Sequence, residues 1–258
     1  MRYATLGKGM ILPACAAGML FATSAAEGQT TPPMSQGVQE LGKRPAAGLS
    51  MPMYQPPKRG APGGRVGGGT RGSGEDLPIL SVLAPDHVGL TTQEQPILYW
   101  YLSKPTTLPV ELAVIRSLGV QPLSPLLEKR LATPAQPGVQ AIRLADYGVK
   151  LVPGEQYQWF ITLVVKADRR SKDIVTGGFI ERTGPPEAIQ AKLDQAGKES
   201  AAFVYAETGL WYDAVMALSD MIEAAPNNGL LRKQRAALLQ QVGLPEIAKH
   251  DLKHATAH

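Results

Sequence analysis

His250, His254 and His258 step along the C-terminal sequence four residues at a time. On one helix they would share a face, and an i, i+4 pair of imidazoles can hold a divalent metal. No acidic companion stands at ligand spacing, and histidines near a helix C-terminus also complement its dipole. No metal and no cofactor is therefore expected. Arg59, Arg65 and Arg71 recur every six residues among glycines, the pattern of a solvated linker, with contact to an anionic lipid or polysaccharide as the competing use. Overlapping them, Gly67-Gly68-Gly69-Thr70-Arg71-Gly72 spells G-x-G-x-x-G. It has no apolar strand before it and no helix-forming run after it, so no dinucleotide site is expected. Trp211-Tyr212-Asp213 places two aromatic rings beside an acid, and Trp211 and Tyr212 join the three arginines as candidate interaction residues; packing between helices is the competing use. The carboxylates are scattered, and no nucleophile elbow, H-E-x-x-H or lysine-bearing phosphate loop occurs, so no catalytic residue is assigned.

The sequence around these residues falls into four blocks. Arg2 and Lys8 precede an apolar run from Gly9 to about Thr23, closed by Ser24, Ala25 and Ala26. This is the order of a secretory signal peptide, 1–26, and the run is shorter than the ~20 residues of a spanning helix. The expectation is an exported chain, periplasmic or extracellular, with no transmembrane span after cleavage. Cleavage would also remove Cys15, the only cysteine. Residues 27–74 contain 12 glycines, 7 prolines and a single aromatic, Tyr54. Such a composition buries too little apolar surface to offset chain ordering, so 27–76 is expected to be a disordered basic linker. Charge divides along the same line: residues 1–74 carry a net +6 and residues 75–258 a net −2. The basic character belongs to the arm, and an exported protein with a near-neutral body is not expected to bind nucleic acid.

Short β-branched and aromatic runs fill the third block, 77–184. Strands are expected at Ile79–Leu83, Ile97–Leu102, Leu108–Arg116, Val139–Leu144, Gln156–Val165 and Ile174–Arg182. Tyr157, Trp159, Ile161, Leu163 and Val165 alternate, which assigns them to one face. Leu151-x-Pro153-Gly154-x-x-Tyr157 is similar to the corner of immunoglobulin- and fibronectin-like sandwiches in which a tyrosine hydroxyl bonds upstream backbone. The fourth block, 185–258, changes to a helical period: one helix from Ile189 to Phe203, a second from Val215 to Ala225, a third from Leu230 to Val242. Gly209/Gly243, Leu210/Leu244, Ala214/Ala248 and Leu218/Leu252 lie 34 residues apart, the tetratricopeptide period. Fewer than two such repeats cannot cover their own apolar face, so this segment must dock on the sandwich or on a partner. The fold class is thus α+β: a disordered arm, an immunoglobulin- or fibronectin-like β-sandwich and a short tetratricopeptide-like helical segment.

The run from Pro56 to Gly72 resembles the opening motif of a family of exported bacterial proteins, domain of unknown function 928. Leu83-Ala84-Pro85, Val88-Gly89-Leu90-Thr91, Gly154 to Trp159, Arg170-Ser171 with Asp173, Gly178-Phe179-Ile180-Glu181-Arg182 and Gly209-Leu210-Trp211-Tyr212-Asp213-Ala214 are similar to that family in order. Phe179 stands where the family pattern has tryptophan. The resemblance implies a shared fold and an envelope location, and brings no catalytic residue. The expected function is a non-enzymatic interaction module for an envelope protein or glycan. The alternative is an envelope hydrolase acting on cell-wall or polysaccharide material, whose mark would be two carboxylates about 5–10 Å apart in one concavity.

Overall fold

A computed structural model describes residues 50–58, 64–67, 77–117, 125–134, 136–184 and 187–255. The expected signal peptide 1–26, the arm to residue 49, Arg59, Arg71 and His258 lie outside the described residues. Lys43–His258 make one compact unit.

The described strands are β1 (Val66–Gly67), β2 (Leu80–Val82), β3 (Gly89–Thr91), β4 (Ile97–Leu102), β5 (Val110–Arg116), β6 (Pro125–Leu131), β7 (Gly138–Arg143), β8 (Gln156–Leu163) and β9 (Ile174–Arg182). The larger sheet runs β1-β9-β8-β5-β6, with β3 parallel to β9; the smaller is β2-β4-β7. All six expected strands form, within a few residues of their expected ends. Alternation makes the core: Tyr157, Trp159, Ile161 and Leu163 on β8 are fully buried, while the residues between them are half-exposed. Strand β8 stops at Leu163, short of the expected Val165. The Tyr157 hydroxyl accepts from the Val152 amide at 3.0 Å, as the corner motif requires. Trp100 and Trp159, from different sheets, belong to one core, and the sandwich-like pair does not close into a barrel.

Strand β4 is buried along its whole length. Because its side chains alternate, both faces of the smaller sheet must be covered there. Leu98, Trp100 and Leu102 share one face, and Ile97, Tyr99 and Tyr101 share the other, where helices cover Tyr99 and Tyr101.

The helices are α1 (Glu187–Ala196), α2 (Ala201–Glu207), α3 (Trp211–Ala224), α4 (Gly229–Gln241) and α5 (Pro245–Ala255). The single helix expected from Ile189 to Phe203 is broken: Gly197 sits at φ 73°, a left-handed conformation that separates α1 from α2. Two turns 34 residues apart share their geometry. Leu210 and Leu244 each donate their amide to the residue five earlier, Tyr205 and Leu239, at 2.9 Å, and Gly209 and Gly243 both turn at positive φ.

Part of the expected linker is structured. Gln241 pairs its side-chain amide with the backbone of residues 52 and 54, donating to Pro52 O at 3.0 Å and accepting from Tyr54 N at 2.8 Å. Gln234 donates to Ser50 O, and Gln55 donates to Ala206 O. Tyr54 is buried, edge-on to Trp211. The linker expectation therefore fails for 50–58 and 64–67: helices α2 and α4 and strand β9 supply the partners that composition alone does not reveal.

Candidate functional site

A cleft of about 480 Å³ opens between the outer face of the smaller sheet and helices α3 to α5. Its lining includes Tyr99 and Ala141 from the sheet, Ser219 and Glu223 from α3, Arg232 and Arg235 from α4, and His250 and His254 from α5. The floor is a buried ion pair. Arg235 donates to Asp251 through Nε at 2.8 Å and through a terminal nitrogen at 2.7 Å, and its other terminal nitrogen donates to Ser219 Oγ at 3.0 Å. That bidentate fork ties three helices together. The Tyr99 hydroxyl bonds Ser219, and burial lifts its pKa to about 12, so the phenol stays neutral.

Arg232 is placed differently. It approaches Asp251 only to 4.0 Å, and its Nε is buried with no hydrogen-bond partner among the described residues. His250 packs edge-on against Tyr101 and lies 4.3 Å, ring centre to ring centre, from His254. His254 Nδ1 lies 2.8 Å from the His250 carbonyl, an acceptor, so Nδ1 is the donor. Burial first, and the neighbouring His254 second, hold the His250 pKa below its ordinary value. The histidines singled out by spacing therefore line a cleft of cations and phenol. Among the described residues no group of three or more His, Cys, Asp or Glu is arranged for a metal.

A second constellation joins sheets to helices. Trp211 Nε1 donates to Leu83 O at 2.9 Å. Trp159 Nε1 donates to the Tyr212 hydroxyl at 2.9 Å, which in turn donates to Phe179 O at 2.9 Å. Gly89 makes the space for the Tyr212 ring, which would stand 2.6 Å from a Cβ there, and Gly178 makes the space for Ala84, which would stand 2.5 Å from one. Asp213, fully buried at the start of α3, accepts from the Thr92 amide at 3.1 Å and the Thr92 hydroxyl at 2.6 Å. Burial raises its pKa, and these donors oppose the rise.

The family model described as Domain of Unknown Function (DUF928) matches residues 66–252. The chain belongs to this family. No curated protein matches it. In this DUF928 fold, four segments that carry the family resemblance, around Ala84, Gly89, Phe179 and Trp211, meet at the joint between sheets and helices.

The candidate interaction residues change meaning accordingly. Trp211 and Tyr212 are 0% and 2% exposed, which removes them from any external recognition patch and makes them the joint itself. Arg65 is no free arm residue: it donates to Ala84 O at 2.9 Å, Val242 O at 3.2 Å and Gly243 O at 3.1 Å, so it caps the C-terminus of α4. Sequence reasoning missed Tyr99, Arg232 and Arg235; an i, i+3 pair of arginines with one later acid was the available signal. No helix among the described residues is long and apolar enough to cross a membrane.

The solvent face of the larger sheet carries a groove of about 440 Å³ lined by Glu111, Glu128 and Arg170, among others. Glu111 pairs in register with Arg130, and Glu128 with Ala113. The two acids are thus diagonal neighbours, about 7–8 Å apart along the backbone. Arg170 donates to Glu111 through two nitrogens, and this holds the Glu111 carboxyl below its ordinary range.

Proposed function

We propose that this protein is an exported, non-enzymatic binding module of the cell envelope, and that the cleft between the smaller sheet and helices α3 to α5 receives its ligand, a glycan or a partner polypeptide. The observation that carries this reading is a concavity of about 480 Å³, the size of a small-ligand site, lined by neutral phenol, imidazoles and guanidiniums. The signal-like sequence 1–26 and the family resemblance support export. Replacing Ala141, exposed on β7 in the wall of the cleft, by Trp fills the cleft without touching the core. A glycan array and affinity capture from envelope extract, each run with the parent chain and Ala141→Trp, test the reading. Binders lost only in the Trp variant support it; binders retained by both place recognition elsewhere.

The hydrolase reading rests on Glu111 and Glu128. An inverting pair needs one acid ionised as the base, and Arg170 favours the ionised form of Glu111. Release of reducing ends from cell-wall polysaccharide, abolished by Glu128→Gln, would establish the enzyme and overturn the binding module.

A further inference from the structure

Building on the cleft as a ligand site, we propose that its ligand is an acidic saccharide whose carboxylate is held by Arg232. The charge at the floor is uneven. Asp251 is shared by two guanidiniums, and Arg235 already spends its nitrogens on Asp251 and Ser219. Arg232 is the surplus cation: it lines the cleft, its side chain is partly exposed, and it stands off from Asp251 at 4.0 Å. A guanidinium edge matches a carboxylate in geometry as well as charge. The neutral Tyr99 hydroxyl adds a second polar group in the same wall, and the hydroxyl, imidazole and guanidinium lining suits a hydroxyl-rich sugar better than an apolar side chain.

His254 donates through Nδ1 to the His250 carbonyl, which leaves Nε2 as the ring nitrogen that can meet a sugar hydroxyl. Glu223, an acid exposed at the rim, is offset by Arg143 at 3.9 Å.

The test is calorimetric titration of the full chain with trigalacturonate, a neutral trigalactoside and triglutamate at pH 7. Trigalacturonate is expected to bind, and the neutral trigalactoside to bind at least about tenfold more weakly. Arg232→Met should lose at least about tenfold, a loss of the ~1.4 kcal/mol scale expected for one charged contact. Each variant is first checked by its melting temperature. Equal binding of the neutral trigalactoside would overturn the carboxylate assignment while leaving the cleft reading intact. Tighter binding of triglutamate would replace the saccharide by an acidic polypeptide. Binding unaffected by Ala141→Trp, or no binding of any probe, would overturn the assignment and count against the cleft itself.

Discussion

At the scale of single residues, the chain spends its polar chemistry on joining elements. The Tyr212 hydroxyl is both acceptor and donor inside the core, between Trp159 and Phe179. Tyr212→Phe leaves a buried indole N–H and a buried carbonyl without partners, and thermal denaturation should register a loss of about 1–3 kcal/mol. Arg235→Met leaves the Asp251 carboxylate buried and stripped of its bidentate partner, since Arg232 stands off at 4.0 Å. The expected loss is larger, about 3–5 kcal/mol, and a compensating Asp251→Leu should restore much of it, as a buried pair costs most when halved. Urea unfolding of the single and double variants measures both. Arg65 shows why residue type misleads: an arginine among glycines reads as solvated, yet its three carbonyl partners come from Ala84 and from the end of α4, far away in sequence.

Elements were legible where burial is one-sided or complete. Strand β8 alternates and β4 is continuously apolar, so both show in the sequence. Strand β6 does not: Pro125–Leu131 is an edge strand with no buried residue, and it carries Glu128, Lys129 and Arg130, charges that discourage edge-to-edge association. Strands β1 and β3 are two and three residues long and owe their existence to the edge of β9. The cleft was invisible because its walls come from strands near residue 100 and 140 and from helices beyond 215. The like turns 34 residues apart were visible, because a glycine at positive φ, Gly209 and Gly243, stands in each. Helix α3 hides its face against the sheets, so residues 185–258 expressed alone forfeit the partners of Trp211, Tyr212 and Asp213. That fragment should be poorly helical or aggregate by circular dichroism and light scattering; a monomeric, cooperatively melting fragment would show the joint to be dispensable. Deleting residues 50–57 should lower the melting temperature of the full chain, because Gln241 loses both backbone partners and the Tyr54 ring is withdrawn from Trp211.

For the whole molecule, sheets and helices form one unit, and a chain of residues 50–258 should melt in a single calorimetric transition. Its stability should depend on pH through His250. The imidazole's ordinary pKa is 6.5, and the folded protein lowers it, chiefly by burial. Between the lowered value and 6.5 the unfolded chain binds more protons, so stability is full above about pH 6.5 and declines as the pH falls through that window. Replacing His250 by Gln should reduce this decline, measured as the melting temperature at pH 7.5 and 5.5. The double covering of β4 also bears on the order of events during synthesis. Tyr101 meets a ring partner in α5, about 150 residues further along the chain. Until α5 has been made, a finished sandwich would present an apolar, tyrosine-rich face with nothing to close it. Completion of the smaller sheet therefore waits on α5 as well as on its own strands.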